Sequence, residues 1–152
     1  MRRLLLATLL CALPLARAAR GAERPIEDFA RVVIAPTKTS IYIGTVSLTM
    51  PAFVRENGVY ESSYAAKVFP YFFSNEQGRL GIALSNENLR KLERGEPVEF
   101  SGRAVNTAGE ERRVEGKATP TDAASGKIKV RVFVSKRIEL IFNTSYRFGA
   151  KS

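Results

Sequence analysis

The sequence contains no histidine and no tryptophan, and a single cysteine, Cys11. Each absence closes a route of chemistry. Without histidine, the commonest general base, the usual triad base and the commonest zinc ligand are missing. Without tryptophan there is no indole platform on which a sugar ring could stack. Cys11 lies in an apolar N-terminal run that reads as a removable leader. The mature chain is therefore expected to hold no disulfide, no thiol nucleophile and no thiolate metal site. An exported domain of that kind rests on its packed core, and suits a bacterial periplasm as well as an extracellular space.

The leader is read from Met1-Arg2-Arg3, an apolar run over residues 4–16, and the small residues Ala16 and Ala18 around Arg17. A basic start, a short apolar stretch and a small-x-small ending form the pattern of a general secretory signal peptide. The run is too short for a membrane span, which needs about 20 apolar residues, and it contains Pro14. The paired arginines lack the longer polar lead of a twin-arginine signal. Leu9 and Leu10 precede Cys11 where a lipidated cysteine would want a small neighbour. Cleavage after Ala18 lowers Lys plus Arg from 24 to 21 against 15 acids, leaving a charge of +6. Residues 19–152 then make one domain with enough length for its own core.

Little catalytic equipment remains. No lysine has a serine three residues before it; Ser63 and Lys67 are one residue too far apart for a Ser-x-x-Lys dyad. The glycines of Gly78-Arg79-Leu80-Gly81 lack the Gly-Lys-Ser/Thr ending of a phosphate loop. A pair of glutamates could still serve a hydrolase if held about 5 to 9.5 Å apart. Glu110 and Glu111 follow Ala108-Gly109 in a turn-like setting, where a solvated surface role is the simpler reading. No enzyme, metal or cofactor is expected.

Alternating apolar residues dominate what is there. Residues 39–50 read as one long strand in which Gly44 marks a bulge or bend. Asn57-Gly58 between apolar flanks is a strong hairpin signal. Residues 59–73 continue extended, broken at Pro70, and a second turn is expected at residues 75–78. Leu80, Ile82 and Leu84 then alternate in a returning strand. The one helix is expected near residues 85–94, capped by Ser85 or Asn86, stopped by Gly95 and Pro97, and plugging one end of the sheet. Residues 98–104 alternate again. Residues 112–118 form a polar strand expected at the outside or edge. Residues 127–142 are one curved strand or two joined near Ser135-Lys136. About eight short strands and one helix predict an all-β fold, an antiparallel sandwich or a small barrel. Polar strands such as 99–103 and 112–118 argue against an outer-membrane barrel.

Charge is segregated. Residues 111–152 hold ten basic and four acidic side chains, net +6, while mature residues before them hold 11 of each. Lys127, Lys129 and Arg131 share one strand face, and Arg113 and Lys117 share another. If the two strands pair, a basic stripe results. It is either a solvated face guarded against edge pairing or a patch that attracts an anionic partner. For an exported protein the candidates are lipid headgroups, anionic envelope polymers or an acidic protein. Nucleic acid is not expected, since the leader removes the chain from it and no aromatic residues interleave the stripe. The aromatic block Phe69-Pro70-Tyr71-Phe72-Phe73 suggests a second possibility. Phe69, Tyr71 and Phe73, with Tyr60 and Tyr64, would line an apolar pocket for a lipid or small molecule.

The expectation is thus a periplasmic or secreted, non-enzymatic domain binding an anionic or amphiphilic envelope component or a protein. A lipid or small-molecule carrier and a carboxylate hydrolase are the alternatives.

Overall fold

The computed structural model describes residues 24–150; the expected leader, with its expected cleavage point, and Lys151 lie outside them. A 3-10 turn (Ile26–Phe29) leads into β1 (Arg31–Ile34), β2 (Thr37–Ile41), β3 (Gly44–Thr49), β4 (Phe53–Glu56) and β5 (Val59–Phe69). A second 3-10 turn (Phe72–Ser74) precedes β6 (Glu76–Ala83) and helix α1 (Asn86–Glu93). Then follow β7 (Val98–Asn106), β8 (Glu111–Pro120), β9 (Ser125–Phe133) and β10 (Glu139–Gly149).

The strands run antiparallel in the order β2-β3-β5-β4-β1-β10-β9-β8-β7-β6, and β5 also pairs with β6. That last pairing closes an eight-strand barrel of β5, β6, β7, β8, β9, β10, β1 and β4. Of the two architectures expected, the barrel is the one adopted. Closure removes sheet edges around the ring. Strands β2 and β3 continue the lines of β1 and β4 past Pro36 and Pro51, and form a flap with the end of β5.

Alternation decides what fills the barrel. Val98, Ala104, Val114, Ala118, Ile128, Phe142 and Tyr146 share one parity along β7 to β10 and are buried. Across from them stand Val32, Ile34, Phe53, Tyr60, Tyr64 and Leu80. Gly116 permits this packing at one point: a Cβ there would lie 2.2 Å from the Phe100 ring.

The helix plugs one end, as its pattern predicts. The Ser85 side chain accepts from the Asn88 N–H, Gly95 takes the left-handed stop at φ 85°, and Leu89 and Leu92 are fully buried. Phe29 closes the same end, edge-on to Phe148 at 5.2 Å between ring centres.

Asn57 and Gly58 form the predicted turn, both at positive φ. Three expectations are corrected and one open alternative is resolved. Residues 39–50 are two strands, not one; Ile41 pairs with Gly44 across a turn at Tyr42-Ile43. The Ile-Tyr-Ile run hides that turn, and only Gly44, at φ 127° with the Phe69 carbonyl where a Cβ would sit, marks it. The second turn falls at residues 70–75 and leaves Gly78 inside β6. Strand β8 is no edge: it pairs with β7 and β9 along its length, burying Val114 and Ala118. Finally, β9 and β10 are separate strands joined at Ser135, where the Ser135 N–H and the Ile138 N–H donate across the turn.

Candidate functional site

The five residues of the predicted basic stripe come together. In β8 and β9, Arg113 and Lys117, Lys127, Lys129 and Arg131 all carry the parity opposite to the buried residues, so all five point outward. Register places Lys117 directly opposite Lys129, Glu115 opposite Arg131, and Thr119 opposite Lys127. The stripe therefore occupies one patch of the outer wall.

Its charges are not equally engaged. Arg113 Nε lies 3.4 Å from Glu115 and its guanidinium sits over the Phe133 ring at 4.2 Å. Arg131 Nε lies 3.4 Å from Glu139. No ion pair joins Lys117, Lys127 or Lys129 to a carboxylate among the described residues. Like charges directly opposite in a sheet are unfavourable, and the Lys117–Lys129 pair bears that cost. An open groove of about 730 Å³ runs on one side of the pair, past Ser101 and Glu115 toward Asn88. A second, of about 590 Å³, runs on the other, between Lys127 and Asn143. Glu99, opposite Lys117 in β7, and Glu115 are the acids that border the first groove.

The five predicted pocket residues do not come together. Tyr60 and Tyr64 point into the barrel, where the Tyr60 hydroxyl donates to the Phe29 carbonyl at 2.6 Å. Phe69, Tyr71 and Phe73 lie beyond the ring at the β5–β6 turn and are exposed. The reason is length: β6 starts opposite Ala66, so β5 outruns its partner before the aromatic block begins. Inside the barrel the described residues line one apolar space of about 100 Å³ and another of about 40 Å³. Pockets for lipid-sized ligands hold roughly 300 to 1,000 Å³.

Two residues on the larger space, Tyr64 and Glu76, belong to a network that sequence reading missed. The Tyr64 hydroxyl donates to Glu76 Oε1 at 2.6 Å, and Arg112 Nη2 donates to Glu76 Oε2 at 3.2 Å and to Glu110 Oε2 at 2.7 Å. Burial opposes ionisation of Glu76, but the bonds from Tyr64 and Arg112 outweigh it and hold its carboxyl below the usual range. Burial and the Glu76 contact together push the Tyr64 phenol above its ordinary value. Glu76 and Glu110 thus share one guanidinium, and two neighbouring carboxylates are what a hydrolase of the glycosidase type would use. In this arrangement Arg112 neutralises charge on both carboxylates and ties β6 to β8. The signal available in sequence was parity: Arg112 matches Val114 and Ala118.

No protein-family model, no curated protein and no solved structure matches this chain. The functional reading therefore rests on its own residues.

Proposed function

We propose that this protein is an exported, non-enzymatic β-barrel that binds an anionic polymer of the cell envelope along the outer wall of β8 and β9. The observation that carries the proposal is the Lys117–Lys129 pair, directly opposed in register, with Lys127 two residues along the same face of β9 and no ion pair from any of the three to a carboxylate among the described residues. Two amines held side by side repel each other until an anion lies between them. A polyanion running along the grooves supplies that charge repeatedly, and Arg113 and Arg131 extend the contact at one end. Segregation of charge in the sequence supports the same reading.

The test is retention of the purified protein on immobilised polyphosphate and on dextran sulfate at low and high salt. Binding is expected on both, weakening steeply as salt rises, because exposed charges are screened within about 10 Å at 0.1 M. Lys117→Glu with Lys129→Glu should weaken retention about tenfold or more, the equivalent of about 1.4 kcal/mol. Retention that is unchanged by the double reversal would refute the assignment of this wall.

A further inference from the structure

The end of the barrel opposite α1 carries an apolar projection that none of the described residues covers. Tyr42 and Ile43 form the tip of the β2–β3 turn, and Phe69, Phe72 and Phe73 the adjoining β5–β6 turn. They are exposed by 105, 63, 60, 65 and 86 % respectively. The two turns touch: Thr45 pairs with Phe69, and Gly44 abuts the Phe69 carbonyl and Pro70. The aromatic turn is itself ordered, with the Val68 N–H donating to Asn75 Oδ1 at 2.8 Å and Phe69 edge-on to Phe72. Scattered exposed apolar residues are ordinary, whereas a contiguous group marks a surface that meets something apolar.

Charge identifies that something. Residues 37–49 and 64–75 contain Lys38 and Lys67 and no acid at all. Lys38 and Lys67 both pair with Ser47, so they share one row of the flap. The β9–β10 turn at the same end adds exposed Lys136, Arg137 and Ile138. The acids at this end are already bound: Glu76 and Glu110 to Arg112, Glu111 to Arg103, and Glu139 to Arg131. The lysines of the flap have no such partner among the described residues. At about 3.3 Å per residue they stand roughly 7 to 13 Å behind the apolar tip. An interfacial anchor buries its apolar face about 5 to 10 Å into the headgroup boundary, with its cations at the level of the phosphates.

We infer that this end of the barrel docks on an anionic lipid bilayer, inserting Tyr42, Ile43, Phe69, Phe72 and Phe73 between headgroups while Lys38 and Lys67 bind lipid phosphates. The surface is separate from the β8–β9 wall and does not depend on its function. Because the chain has no tryptophan, Phe73→Trp gives a single reporter of this tip, insensitive to insertion of the apolar run at residues 4–16. Mixed with phosphatidylglycerol–phosphatidylcholine vesicles, the reporter should shift to the blue and be quenched by brominated lipid chains, with a weaker response to phosphatidylcholine alone. Phe69→Ser with Phe72→Ser should reduce that response about tenfold or more, and Lys117→Glu with Lys129→Glu should leave it in place. An unshifted reporter on anionic vesicles would overturn the inference. So would a dimer in sedimentation velocity that the serine variants dissolve, since the tip would then be covered by a second copy.

Discussion

At one end of the barrel Phe29, Leu89 and Leu92 are buried; at the other Phe69, Phe72 and Phe73 stand in solvent. The residue types are alike, and the aromatic block is the denser of the two. The difference is the presence of a covering element. The loop between β6 and β7 is long enough to contain α1, which folds back over the barrel mouth and buries Leu89 and Leu92. The turns at the far end are short and carry no such element, and the strands of the flap overshoot the ring. Apolar density in a sequence therefore measures how much surface wants covering, while connectivity decides whether the same chain can cover it. A covered end contributes stability; an uncovered one is available to a partner.

The largest expected effect tests the plugged end. Leu89→Ala removes a fully buried side chain and leaves a cavity against the barrel, which should cost about 2 to 5 kcal/mol in urea unfolding. A loss below about 1 kcal/mol would mean that α1 is a loose cover and the two ends are more alike than they look. A smaller effect is expected where polar groups line the far mouth. Tyr64→Phe deprives Glu76 of a donor in a partly buried setting and should cost about 1 to 2 kcal/mol. Acid titration sharpens this. The Glu76 carboxyl is held below its unfolded value of roughly 4.3. Its contribution is therefore complete above that pH and is lost as pH falls through the folded value. Glu76→Gln should flatten this part of the curve of stability against pH; an unchanged acid limb would show that other carboxylates govern it. The smallest effect belongs to the exposed tip: Phe73→Ser should change unfolding stability by no more than about 0.5 kcal/mol. A large loss there would mean that the projection is packed against the barrel, which would collapse the contrast between the ends.

Parity made much of the fold readable in advance. The hairpin at Asn57-Gly58 followed from residues that tolerate positive φ, and the helix from Ser85, its two leucines and Gly95. The basic stripe was legible because strand alternation forces Lys127, Lys129 and Arg131 to one side whatever the partner. The errors share one cause. Apolar residues at Tyr42-Ile43 look like strand interior, since a turn with one glycine beside it has no pattern of its own. Phe69, Tyr71 and Phe73 look like a pocket wall, because pattern cannot see where the neighbouring strand stops. Arg112 looks like surface because charge outweighs parity when a residue is read alone.

By itself the sequence determined a β-rich chain, the faces of its strands, its one helix and the concentration of cations in its last third. These depend on neighbours a few residues away, and alternation or capping records such distances directly. Only the tertiary structure decided that the sheet closes between β5 and β6, that Lys117 meets Lys129, that Tyr64, Glu76 and Arg112 join, and that five apolar residues crown one end. Those outcomes depend on strand register and strand length across many residues, and both are settled by the packing of the whole interior at once.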